Sequence, residues 1–133
     1  MQIFIPGKPQ GKGRPRFYHG HAVTPESTRT YEQIIAMLWK CERYGVSDKP
    51  IEIDITAFYL VPKSWSKKKQ EAVISGDIKP TVKPDIDNIA KIVLDGLNGV
   101  AFTDDKQVIQ ITARKKYTFF EFEEGVWVDV KEL

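Results

Sequence analysis

Residues 83–108 read KPDIDNIAKIVLDGLNGVAFTDDKQV, and the fold turns on how this stretch is parsed. Ile89, Ile92, Val93 and Leu97 recur at the spacing that puts apolar side chains on one face of an α-helix. Asp87 is a residue type that caps a helix start and Gly99 one that stops it, so the pattern predicts a helix over 88–98. Pro84 disfavours a helical residue before it, so the chain approaches that helix extended. Side chains two apart in an extended segment point the same way, which puts Asp85 and Asp87 on one side. Asp104 and Asp105 follow the helix, just before the β-like run 107–122. The helix returns the chain by about 16 Å at roughly 1.5 Å per residue. That brings the Asp105 turn back toward Asp85 and Asp87.

Outward from this stretch, 51–61 alternates Ile51, Ile53, Ile55, Ala57 and Tyr59 with Glu52, Asp54 and Thr56, the pattern of a strand with one buried face. Ser64 or Ser66 is placed to cap a short basic helix over 67–75, closed by Gly76. A longer helix is expected from a cap at Ser27 or Thr28 to Tyr44, with Tyr31, Ile34, Ile35, Leu38 and Cys41 on its inner face. Residues 2–5 read as a short strand. Residues 6–24, broken by glycine and proline, read as a mobile cationic loop. Residues 126–130 read as a final strand folding back on the preceding one as a hairpin. Tyr117, Phe119 and Phe120 are expected in the core rather than at a subunit interface. The order predicts an α/β (α+β) fold, a mixed sheet with packed helices, in one domain spanning 1–133.

Charge is uneven along the chain. Residues 1–45 hold seven Lys/Arg against three Glu, whereas 77–133 hold eight Lys/Arg against eleven Asp/Glu. A basic front and an acidic back suit a polyanion that meets a cation site. One cysteine, Cys41, excludes an internal disulfide and a thiolate zinc cluster within one chain. The apolar run 1–5 is too short for a signal peptide or membrane span, so a cytoplasmic location is expected.

Paired carboxylates repel unless a cation neutralises them or one is protonated, and hard divalent ions such as Mg²⁺ take such oxygens as ligands. Lys91 lies one turn after Asp87, with Asp95 a turn further on. A lysine there can neutralise charge developing on a phosphate. The competing reading makes Asp87 a cap, Asp104 and Asp105 a turn, and Lys91 part of a solvated ladder. Lys8, Lys12, Arg14 and Arg16, with Lys67, Lys68 and Lys69, are candidates for contacts to the phosphates of a polyanionic partner. His19 and His21 are read as loop residues facing DNA or solvent rather than as metal ligands.

Taken together, Pro84 to Asn88, Lys91, Asp95 to Gly99 and Asp104 to Val108 resemble RusA-type Holliday junction resolvases. Pro62 to Ser66 and Gly11 to Arg16 are similar to phage and prophage members of that family. The resemblance covers nearly the whole chain. It implies a RusA-like fold, a homodimer, and cutting of branched DNA at four-way junctions with Mg²⁺, Mn²⁺ being a possible substitute, in recombination and repair. It implies metal ligation by Asp85, Asp87 and Asp105, rather than Asp104, and assigns Lys91 to the active site. Rival readings are a PD-(D/E)xK nuclease, a glycosyltransferase with an Asp-x-Asp metal site, and a branched-DNA-binding protein without catalysis.

Overall fold

The computed structural model describes residues 1–133; the side chain of Arg16 lies outside the described residues. The elements are β1 (Gln2–Pro6), β2 (Arg16–Tyr18), β3 (His21–Val23), α1 (Glu26–Glu42), β4 (Ile51–Leu60), α2 (Lys67–Ile74), α3 (Ile86–Leu97), β5 (Val108–Thr118) and β6 (Gly125–Glu132). Short 3-10 turns span Asp105–Gln107 and Glu121–Glu123. The main sheet runs β1-β6-β4-β5, and β2 and β3 form a separate ribbon. β4 pairs parallel with β5 and antiparallel with β6. The fold is α+β, as the element order predicts.

The inward residues of β4, Ile51, Ile53, Ile55, Ala57 and Tyr59, are all buried. Beside them lie Val126, Val128 and Val130 of β6 and Ile3 and Ile5 of β1. The helices cover this face with Tyr31, Ile35 and Trp39 from α1 and Ile89, Ile92, Val93 and Leu97 from α3. Burying each such aliphatic side chain contributes roughly 1.5–3 kcal/mol. The two helices touch closely at Gly96, where an added Cβ would lie 2.8 Å from the Ile35 Cβ. A parallel β4–β5 pair needs a long crossover, and α2 with α3 supplies it. That crossover carries the acidic stretch.

Several expectations are corrected. The last strand does not form a hairpin with β5. The Glu121–Glu123 turn carries the chain past the end of β4, where Glu124 accepts the Leu60 amide at 3.1 Å, and β6 inserts between β1 and β4. In α1, Trp39 rather than Cys41 faces the core; Cys41 is exposed. The cap of α1 is Pro25 with no side-chain bond, while Thr28 is buried and accepts the Gly13 amide at 3.1 Å. Phe119 and Phe120 are exposed, not core. Residues 6–24 are not a free loop, since they contain the β2–β3 ribbon and a strap docked on the helices.

Candidate active site

α3 begins two residues earlier than its sequence suggests. Asp85 is the N-cap, without a side-chain cap bond, and Asp87 already lies in the first turn. Helical geometry therefore replaces the extended pair expected from sequence, and side chains two apart on a helix do not face each other. Asp87 shares its face with Lys91 and Asp95. These three line a cleft of about 540 Å³, with Asp105, Ile86, Ala90, Leu94, Ile111 and Ala113 also in its lining. Asp85 is exposed at the helix mouth and is not among the lining residues. A helix N-terminus attracts acids through its dipole, which favours both Asp85 and Asp87 there.

The Asp104–Asp105 pair is divided by its turn. The Asp104 side chain accepts the Lys106 amide at 3.0 Å, and the Gln107 side chain accepts the Asp104 amide at 3.0 Å, a reciprocal cap. The backbone N–H of Lys106 holds the Asp104 carboxyl below its ordinary value. Asp105 is left facing the cleft. Its carboxyl is pushed above the ordinary value by hydrogen bonding with Asp104, then by the charges of Asp104 and Asp95, against the opposing pull of Lys91. Gln107 also donates to Ser47 O at 3.0 Å and Lys49 O at 2.9 Å, tying the turn to the segment before β4.

Two lysines brace the site. Lys12 sits between Glu32 of α1 at 2.6 Å and Asp95 of α3 at 3.0 Å, with 19% of its side chain exposed. Burial works to lower its pKa, but the bonds to Glu32 and Asp95 outweigh this and hold it above the ordinary value. Its backbone N–H donates to Asn88 O at 2.9 Å. A Cβ on the neighbouring Gly11 would come within 2.7 Å of the Pro84 Cβ, so only glycine lets the strap lie against the start of α3. From the other side, the ammonium of Lys115 on β5 donates to Pro84 O at 3.0 Å and also to Val82 O. It thereby fixes the segment leading into Asp85. Sequence reading missed Lys115, although its parity with Ala113 and Tyr117 marks it as a cation on the helix-facing side of the sheet. It also missed Glu32 and the anchoring bonds of Gln107.

The remaining basic candidates are placed unevenly. Lys8 and Arg14 are exposed, while Arg16's side chain lies outside the described residues. Lys67, Lys68 and Lys69 are exposed at the start of α2, capped by Ser66, which accepts the Lys69 amide at 3.2 Å. Lys69 lies 3.9 Å from the centroid of the Trp65 ring, which itself packs edge-on against Tyr117 at 5.6 Å. Among the candidates whose side chains are described, Lys12 alone is ion-paired.

The profile of a protein family, Endodeoxyribonuclease RusA, matches residues 6–130. The chain belongs to the RusA endodeoxyribonuclease family. It is also 34% identical, over 140 aligned positions, to "Uncharacterized protein YqaN" of Bacillus subtilis (strain 168). That alignment covers 100% of this chain and 96% of the relative. As a RusA-family protein it is a nuclease by kinship. The PD-(D/E)xK arrangement is not present, because α3 separates Asp85 from Asp105 and neither acid lies on a strand.

RusA-type nucleases use a divalent cation, and the donors here suit one in kind: hard carboxylate oxygens around a lysine. Mg²⁺ needs only one or two protein carboxylates. Among the described residues, no three His, Cys, Asp or Glu side chains are grouped to hold a metal. Asp87, Asp95 and Asp105 share the cleft lining with Lys91, and Asp85 stands outside it at the N-cap of α3. Asp95 is occupied by Lys12.

Proposed function

We propose that this RusA-family nuclease is a Mg²⁺-dependent, structure-specific endodeoxyribonuclease that cuts four-way DNA junctions by paired phosphodiester hydrolysis. The observation carrying this reading is the α3 cleft, whose lining holds Asp87, Lys91 and Asp105 together, with Asp85 just outside it at the N-cap of α3. Asp85, Asp87 and Asp105 are not grouped as a three-ligand site, so the ion would take one or two of these carboxylates, with water and phosphate completing its shell. A bound Mg²⁺, or Mn²⁺ in its place, neutralises charge on the phosphate and acidifies water. Lys91 offsets the negative charge that grows on the non-bridging phosphate oxygens. One of the carboxylates accepts the proton of the attacking water as the P–O3′ bond breaks. The products carry 5′-phosphate and 3′-hydroxyl ends.

Lys8, Arg14, Arg16 and Lys67, Lys68 and Lys69 would contact backbone phosphates, giving affinity and register without sequence choice. A four-way junction has two symmetry-related strands to cut, which calls for two sites and hence a homodimer. The chain would act as a single domain in the cytoplasm, in recombination and repair. No helix is long and apolar enough to cross a membrane.

The test is incubation of the purified protein with a synthetic four-way junction, with and without Mg²⁺, beside Asp85→Asn. Metal-dependent paired nicks lost in the variant support the reading. Binding without cutting in any divalent ion supports the non-catalytic alternative instead.

A further inference from the structure

The β2–β3 ribbon stands apart from the main sheet. Its two central turn residues, His19 and Gly20, have φ of 49° and 78°, the left-handed pair that a tight two-residue hairpin turn requires. Every described side chain from Phe17 to Val23 is exposed. Phe17 is 81% and Tyr18 68% exposed. A two-stranded ribbon is marginal by itself; on this one Tyr18 packs only edge-on against the exposed His19, at 4.2 Å between ring centroids, and Phe17 is held in water. Phe17 pairs across the ribbon with Ala22, and Tyr18 with His21, so the two aromatics project from opposite faces.

The ribbon's base is fixed against the active site. Gly11 abuts Pro84 and Asn88, and Lys12 is bonded to Asn88 and Asp95. Phe17 follows Gly13 by four residues, a reach of at most about 14 Å. No acid occurs before Glu26, so the ribbon and its base carry only cations and suit a polyanion.

We propose that Phe17 and Tyr18 form a stacking finger that enters branched DNA at the branch point. This rests on the nuclease reading above and adds the element that distinguishes a branch from a duplex. Bases within an intact duplex are covered by their neighbours, and opening a step costs several kcal-scale contacts. At a branch the stack is already interrupted, so exposed base faces are available there to an aromatic ring at little cost. Phosphate contacts from Lys8 and Arg14 alone would hold duplex and junction alike.

The test measures binding of the intact protein to a labelled four-way junction and to a duplex of the same sequence, at one salt concentration with Ca²⁺ in place of Mg²⁺. Losing one base–aromatic stack predicts that Phe17→Ala weakens junction binding about 5- to 150-fold while duplex binding is unchanged. Phe17→Trp should retain junction binding. Equal losses on both substrates, or no loss on the junction, overturn the proposal. So does a change of oligomeric state in Phe17→Ala, which would make the ribbon a contact between copies. Junction nicking by the unaltered protein is scored in parallel in Mg²⁺. If that nicking is present while Phe17→Ala binds normally, only the finger fails. If the unaltered protein neither binds nor nicks the junction, the nuclease reading fails with it.

Discussion

Lys12→Met separates a bracing role from a DNA-contact role for Lys12, the one ion-paired cation among the described side chains of the N-terminal strap. In the DNA-free protein Lys12 makes two charge-assisted bonds, to Glu32 at 2.6 Å and Asp95 at 3.0 Å. The three side chains are 19%, 21% and 27% exposed, between a surface pair and a buried one. Exposed pairs contribute about 0–1 kcal/mol, and breaking a buried pair costs about 3–5 kcal/mol. Methionine keeps the stem's packing but leaves two carboxylates facing each other, so a loss of about 2 kcal/mol is expected. With an unfolding entropy of about 2.1 cal/mol/K per residue, that lowers Tm by roughly 7 °C for a chain of this length. The raised pKa of Lys12 fixes the sign with pH. The stabilisation is complete below the ordinary lysine value of 10.5 and is lost only as pH rises through the elevated one. Thermal unfolding by circular dichroism at neutral pH is the assay. A Tm drop below about 2 °C together with weakened DNA binding would refute the brace and return Lys12 to the phosphate contacts.

Asp104→Asn should keep the turn, since asparagine caps as well as aspartate. It removes the main cause of the raised Asp105 pKa, so Mn²⁺ binding, which weakens as pH falls and Asp105 takes a proton, should persist to lower pH; isothermal titration across pH 4–7 (roughly the carboxylate range) checks this. Lys115→Met frees residues 82–84, and misplacing Asp85 should lower kcat about ten- to hundredfold with KM little changed, measured by single-turnover junction cleavage. Gly96→Ala forces a methyl against Ile35, and overpacking of about 1–3 kcal/mol, partly offset by helix propensity, should lower stability by about 1–2 kcal/mol in urea unfolding.

The sheet and its helices were legible where periodicity was strong. The alternation of Ile51, Ile53 and Ile55 and the stripe of Ile89, Ile92, Val93 and Leu97 both appear as read, because each buries one face against the other. The place of β6 was not legible. Strand order depends on which edge of β4 a connection reaches, and a six-residue link carries no periodic signal for that. The carboxylates of the site were visible as residue types, and Asp87 and Asp105 share a cleft as their spacing suggested, but the helical rather than extended placement of Asp87 was not legible. A two-residue shift in the start of α3 moved Asp87 from the cap into the first turn. Lys12 looked like the other strap cations, since its partners Glu32 and Asp95 are 20 and 83 positions away. The stacking aromatics were hidden inside a segment rich in glycine and proline, which reads as loop whether or not it forms a ribbon.

The central claim is that carboxylates of the α3 cleft grip the cation that drives cutting. A crystal of the protein grown with Mn²⁺ and recorded at the manganese edge addresses it directly. The account predicts an anomalous peak bonded to Asp105 and to Asp85 or Asp87, within one chain or between two copies of it. Manganese bound elsewhere, with those three carboxylates bare, would contradict it.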